Sequence, residues 1–387
     1  MRVYCARTLE ELDVHAEAWD RLAYTAPQRA PMLSHAWVGS YLEHLLKPGE
    51  RWFCLFAFEG EELLGVLPVV ASPARLPWQG KWNFHAPSDL DVPTGDMLAK
   101  SGREREIVAA LFAEFERLEP AYASLKLNKL PPGSPSLSSM EDEFGRRRVL
   151  TEQDGCTSIL RIEGSHEAYL KSLSSNFRDN LRKSRNRLAR LGRLETRFLT
   201  GEAITDEHMR RFFELEASGW KGQGGSAILS CERHTAFFTA LARRLHARGM
   251  LEWHFLELDG KLIAGHLAAR TDRKLTNWKI AYDEEYARYG PGNILKEQLI
   301  RRAYSAGDTD EIDLVHAWPW HVNWRVEVRP YSDLIISSPR LAHYLGSLAS
   351  IKAHEGFRLL RSYVKKSPAL SALAYRCRDL LNGARSG

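Results

Sequence analysis

Two stretches of the chain, about two hundred positions apart, repeat one pattern of apolar and polar residues. Phe53-Cys54-Leu55-Phe56-Ala57-Phe58 meets Glu59-Gly60, and the chain continues through Leu63-Leu64-Gly65-Val66-Leu67. Later, His254-Phe255-Leu256-Glu257-Leu258 meets Asp259-Gly260, followed by Leu262-Ile263-Ala264-Gly265-His266-Leu267. Each reads as a strand, an acidic-glycine turn and a second strand, since an acid-Gly pair between apolar runs marks a hairpin. Helical periodicity flanks both copies. In the first half Ser34 is a candidate cap for a helix with Trp37, Val38, Tyr41, Leu42 and Leu45 on one face, stopped by Pro48-Gly49. Ile107, Leu111, Phe115 and Leu118 then predict a helix ending at Pro120, and Ser124 to Leu127 a short strand. In the second half Phe212, Phe213 and Leu215 lie on one helix and Phe237, Phe238, Leu241 and Leu245 on the next. Leu275 to Tyr282 reads as a strand, residues 293–306 as a helix closed by Gly307, and Ile312-Asp313-Leu314 as a strand. Helix, helix, hairpin, strand, helix, strand, traversed twice, predicts a mixed α/β (α+β) chain of two similar domains, residues 1–164 and 196–338.

Residues 165–195 between them read as one long basic helix, with Ser165 as its cap. Leu170, Leu173, Phe177, Leu181, Leu188 and Leu191 fall within a wedge of about 80° at helical spacing. Arg178, Arg182, Lys183, Arg185, Arg187, Arg190 and Arg193 cover the rest, with Asp179 the acid among them. Such a face is either a solvated exterior or a clamp for phosphates, of a nucleotide, a nucleic acid or a membrane headgroup. Residues 339–387 form a second basic stretch. Lys352, Arg358, Arg361, Lys365, Lys366, Arg376 and Arg378 alternate there with Leu359, Leu360, Leu370 and Leu373, which suits a packing helix or a peripheral membrane contact.

Composition narrows the class. At 387 residues, 44% hydrophobic and 27% charged, the chain has the make-up of a globular protein of two to three units. Its longest apolar runs are far short of the ~20 residues that cross a bilayer. The N-terminus lacks an apolar signal core, and five scattered cysteines without C-x-x-C argue against disulfides or structural zinc, so a cytoplasmic location is expected. The net charge of +5 is mild, but it is concentrated in the two basic stretches.

Three segments bear chemistry. In Tyr282-Asp283-Glu284-Glu285-Tyr286-Ala287-Arg288-Tyr289-Gly290-Pro291-Gly292-Asn293-Ile294 a strand enters a glycine-containing turn and then a helix, whose free N–H groups suit an anion. Trp220-Lys221-Gly222-Gln223-Gly224-Gly225 is not a P-loop, because its lysine precedes the glycines; a mobile lid and a plain linker both fit it. Asp313-Leu314-Val315-His316-Ala317-Trp318-Pro319-Trp320 offers Asp313 and His316 as acid, base or orienting groups beside pocket-forming tryptophans. His316 and His321 lack accompanying ligands at metal spacing, so no metal is expected. There is no G-x-S-x-G, S-x-x-K or G-x-G-x-x-G.

Taken in order, Ser174 to Leu188, Glu216 to Ile228 around Trp220-Lys221-Gly222, and Tyr289 to Leu295 followed by Gly307 and Ile312-Asp313-Leu314 resemble the CelD-type (cellulose-biosynthesis) acetyltransferase group. That group lies within the GNAT superfamily, akin to the Fem-type aminoacyltransferases with their two GNAT-like halves. The resemblance implies tandem GNAT-like domains, and acyl transfer from acetyl-CoA or another acyl-CoA to an amine or hydroxyl. The acceptor it suggests is a saccharide or a cell-envelope or exopolysaccharide precursor. It places the acyl carrier on Arg288, Gly290, Pro291, Gly292, Asn293 and Ile294, although this chain has Ala287 where the group's loop carries Arg or Gln. Substrate contacts would come from Arg178, Arg182, Trp220, Lys221, Trp278 and Trp320. A backbone N–H on a splayed strand between Trp278 and Tyr282 would stabilise an oxyanion, with Asp313, His316 and Tyr282 as acid–base candidates and His266 next. The first half shows only Ser101-Gly102-Arg103 before its helix, which implies one cofactor site, in the second half. Two other readings stay open: transfer from aminoacyl-tRNA, and a degenerate pair serving as a binding or scaffold subunit.

Overall fold

Both hairpins form as the repeat predicts, and each becomes the middle of one wing of a mixed sheet. The computed structural model describes residues 1–74, 80–89, 94–145 and 148–366. In the first half the strands are β1 (Arg2–Ala6), β2 (Arg51–Glu59), β3 (Glu62–Pro73), β4 (Trp82–His85), β5 (Leu98–Ala99), β6 (Ser124–Leu130) and β7 (Val149–Arg161). In the second they are β8 (Leu194–Thr200), β9 (Leu251–Leu258), β10 (Lys261–Thr271), β11 (Lys274–Tyr282), β12 (Glu311–Asp313) and β13 (Glu327–Ser337). The order across the sheet is β1-β2-β3-β4-β6-β13-β7-β12-β11-β10-β9-β8, with β5 beside β3. That order is a palindrome. β4 and β6 are parallel neighbours in the first half, as β11 and β12 are in the second.

The halves exchange their last strands. β7, from the first half, pairs with β12, while β13, from the second, pairs with β6 and β7. Continuous hydrogen bonding therefore crosses the sequence boundary at residues 164–165. A second seam is apolar. The helix His35–His44 packs against the helix Glu232–Ala247 in a core shared by both halves, with Trp37 and Trp278 at 4.2 Å between ring centroids. Polar contacts reinforce it: Arg244 reaches Ser40 Oγ (3.0 Å) and Glu43 (2.8 Å), and Arg248 reaches Asp20 (3.0 Å).

Local signals explain most element ends. Ser34 Oγ accepts the Trp37 N–H at 3.3 Å, capping its helix, and Gly307 (φ +65°) closes the helix Pro291–Ala306. The basic segment departs from the sequence reading. Its single helix is two, His166–Ser172 and Ser175–Ala189, because Leu173 is extended and the Ser174 side chain caps a new start at the Phe177 N–H. The repeat's glycines have a packing cause. A Cβ on Gly65 would lie 2.2 Å from Ile107 Cγ2, and one on Gly265 would lie 2.9 Å from Phe212 Cδ2, so each strand lets a helix sit directly on it. Gly65→Ala is expected to lower stability by about 1–3 kcal/mol through overpacking, read as a reduced urea midpoint.

Candidate active site

β11 and β12 run parallel for only three residue pairs, Lys274–Glu311 to Thr276–Asp313, and then separate. Beyond that point β11 keeps its other neighbour, β10, through to Tyr282. Its edge from residue 277 onward is open towards β12, which is the splay expected for this segment. Lys221 Nζ donates to the Ile280 carbonyl at 3.0 Å. In a strand the N–H and C=O of one residue share an edge, so the Ile280 N–H is directed to the gap as well.

The splay opens into a cavity of about 660 Å³. Of the candidates from sequence, Lys221, Trp278, Tyr282, Gly290, Pro291, Gly292, Asn293, His316 and Trp320 line it, together with His266. Segments far apart in the chain, including Gly219 and Lys221, the Gly290–Asn293 turn and the 316–320 loop, thus meet in one place. The helix start is poised for an anion at one amide. Gly290 is left-handed (φ +58°) and its carbonyl accepts the Asn293 and Ile294 N–H groups at 3.0 and 3.2 Å. The Gly290 N–H donates to Ala287 O at 2.9 Å, and Pro291 has none, so Gly292 holds the free N–H among the described residues of this turn. A Cβ at Gly292 would meet nothing within 4 Å, which leaves room for a ligand group. Arg288 lies over the Tyr289 ring at 4.8 Å and Ile294 is buried in the core, so neither lines the cavity.

The other candidates are placed elsewhere. Arg178 and Arg182 are exposed on the basic helix outside the cavity wall, Arg182 paired with Asp179 at 3.0 Å. The Trp220 side chain lies outside the described residues, as do Leu370, Leu373, Arg376 and Arg378 of the tail. The Lys221 segment takes the form of a short helix, Trp220–Gln223. It is held because Lys221 Nζ donates to the buried Glu216 Oε1 (3.0 Å) while Glu216 Oε2 accepts the Ile228 N–H (2.8 Å). Asp313 is also taken. Thr157 Oγ1 and the Val315 N–H donate to its Oδ1 at 2.6 and 2.8 Å, and Lys274 Nζ sits 2.8 Å from Oδ2. Burial pushes the Asp313 carboxyl up, but Lys274 and these donors overcome it and hold the pKa below the ordinary value. Asp313 does not line the cavity. It instead secures Val315, a β-branched residue at φ +64°, and with it the turn that presents His316.

The group that the sequence did not single out is Lys296. It lines the cavity, is 4% exposed, and has no hydrogen bond or ion pair among the described residues. Its Nζ lies over the Trp320 ring at 4.2 Å and the Trp324 ring at 5.8 Å. Burial lowers its pKa to about 7, so a large share of the amine is neutral near neutral pH. Two imidazoles nearby are held neutral. His321 is pushed to about 4 by burial and by Lys296, and His266 well below its ordinary value by burial, His254 and Lys296. Asn277 Nδ2 lies 3.3 Å from His266 Nδ1, which places the ring proton on Nε2 when the amide donates. His316, at the cavity rim, is lowered by partial burial and by Lys129. Among the described residues no cluster of potential metal ligands is found.

With this geometry in place, comparison adds the family signal. Residues 175–320, the stretch that holds the cavity, match the model of an acetyltransferase (GNAT) domain. No curated protein matches the chain. Among solved structures, FemX superposes with a TM-score of 0.58 at 12% identity, covering 87% of this chain and 98% of that one. A conserved protein of unknown function from Bacteroides thetaiotaomicron gives 0.54 at 13%, over 87% of this chain and all (100%) of that one. L-PGS from Bacillus licheniformis gives 0.51 at 10%, over 86% and 92%. At these identities the likeness is one of fold. The chain thus has the GNAT acyltransferase-type fold, a class whose domains use acyl-CoA as co-substrate.

Proposed function

We propose that the cavity transfers an acyl group, acetyl being the simplest, from an acyl-CoA thioester to an amine or hydroxyl. The acceptor we infer is a saccharide or an envelope or exopolysaccharide precursor, in line with the CelD-type resemblance. The observation that carries the reading is the neutral-capable Lys296 amine inside a cavity that joins the open β11 edge to the Gly290–Gly292 helix start. The Gly292 N–H and the helix start would hold carrier phosphate. The Ile280 N–H would stabilise negative charge on the thioester oxygen as the acceptor attacks. Lys296 would take the acceptor's proton, the C–S bond would break, and the protonated Lys296 would return that proton to the departing sulfur, releasing the thiol.

Transfer from aminoacyl-tRNA is the second reading, favoured by one feature: the exposed Arg178, Lys183, Arg187 and Arg190 on a helix that packs beside residues 284–289. Thermal shift with CoA, acetyl-CoA and bulk tRNA separates the readings. Acetyl-CoA at a hundred times its Kd should stabilise the fold by about 2.7 kcal/mol. A shift with tRNA alone supports the second reading, and no shift with any of the three favours a scaffold role and sinks the first.

A further inference from the structure

Lys221, Lys279 and Lys296 all line the cavity, and their amines differ in what holds them. Lys221 Nζ donates to Glu216 Oε1 and to the Ile280 carbonyl, each at 3.0 Å. Lys279 Nζ lies 4.0 Å from the same Glu216 and over the Phe238 ring at 4.8 Å. Lys296 is buried and has no hydrogen bond or ion pair among the described residues; its Nζ meets the Trp320 and Trp324 rings. On the helix Pro291–Ala306 it stands four positions after Gly292, so the two occupy one helix face a turn apart. Among the described residues the cavity lining contains no serine, threonine or cysteine. The amine of Lys296 is therefore the nucleophile the cavity itself offers to an acyl group.

We propose that, when no acceptor occupies the cavity, Lys296 takes the acyl group itself and the site is arrested as an Nε-acyl-lysine. This rests on the reading of the cavity as an acyl-carrier site. The Nζ lone pair attacks the thioester carbonyl and forms the C–N bond, while the Ile280 N–H supports the charge that develops on oxygen. The C–S bond then breaks, and the proton lost by the nitrogen goes to the departing sulfur. One amine and one thioester thus become one amide and one thiol. Burial lowers the Lys296 pKa to about 7, so much of the amine keeps the lone pair that this step needs near neutral pH. The product ends the cycle. Resonance draws the amide nitrogen's lone pair into the carbonyl, so acylated Lys296 cannot take a proton from an acceptor. With no serine, threonine or cysteine in the lining, the cavity has no side chain of those types to carry the acyl group onward.

Incubating the full chain with acetyl-CoA and no acceptor, then measuring intact and peptide masses, tests the proposal. The expected result is a single acetyl group per chain, located on Lys296, with one equivalent of free thiol released before the reaction stops. Excess CoA should slow the addition at least tenfold by occupying the carrier site, and Lys296→Met should gain no acetyl group. Acetylation of exposed lysines at rates within a few-fold of Lys296, or addition that excess CoA leaves unchanged, overturns the proposal. Its failure is distinct from failure of the carrier reading. A thermal shift with acetyl-CoA but an unchanged mass sinks self-acylation and leaves the carrier site standing, whereas neither shift nor mass change sinks both.

Discussion

Lys296→Met is expected to abolish acyl transfer and, at the same time, to make the folded protein more stable. The loss follows from the proton the acceptor must surrender: a positioned base of suitable pKa contributes about 10²–10⁴-fold, and methionine keeps the volume without the lone pair. The wild type should gain activity as pH rises through about 7, where burial places the Lys296 amine, and the variant should lack that limb. The stability change has the opposite sign. A lysine has a pKa near 10.4 in the unfolded chain, whereas Lys296 titrates at about 7 when folded. Between those values the unfolded chain binds more protons, so wild-type stability rises with pH across that window and carries the full cost of burial below it. Removing the amine lifts that cost, by about 2–4 kcal/mol near pH 6 after allowance for the attraction to Trp320, and by little at pH 10. Urea midpoints at the two pH values, beside free-thiol release from acetyl-CoA, measure both halves. An active variant ends the role of Lys296 as base, and an inactive one that is less stable at pH 6 points to a structural part instead.

How far this was legible in the sequence depends on the distance between the residues concerned. The hairpins, the helix read over residues 293–306 and the turn at Gly290 rest on local signals, and the structure forms all three, the helix starting two residues earlier at Pro291. The exchange of β7 and β13 is a pairing across more than 150 positions, such as Ile336 with Val149, and no periodicity encodes which wing a strand joins. Lys296 carries a local signal of its own. It stands one turn before Ile300 and two before Ala303, both buried, and a lysine on an apolar stripe has either a partner or a perturbed proton. Asp313 shows the reverse. Its strand-end position suggested chemistry, but its partner Lys274 lies at the far end of a β11–β12 register that only the fold sets.

Asp313→Ala is accordingly expected to cost the fold before it costs the reaction. The substitution strands Lys274 Nζ, whose side chain is 10% exposed, without its counter-charge, and leaves the Val315 N–H and Thr157 Oγ1 without their acceptor. Breaking a buried pair by removing one member costs about 3–5 kcal/mol, so the urea midpoint should fall sharply. Asp313→Asn keeps an oxygen for Val315 and Thr157 and loses only the charge, which should give a smaller drop. The pH dependence follows from the lowered carboxyl. Its contribution is present above the unfolded value near 3.9 and disappears as pH falls through the folded value, so wild type and Asp313→Ala should converge in acid and diverge at neutral pH. Turnover separates structure from chemistry. Per folded molecule, Asp313→Asn should keep kcat within a few-fold of wild type, because the carboxylate is spent on the Val315 turn and not on substrate. A loss of a hundredfold or more in a variant that remains fully folded at the assay temperature would return Asp313 to the reacting atoms. It would also move the acid–base assignment from the cavity's Lys296 to the end of β12.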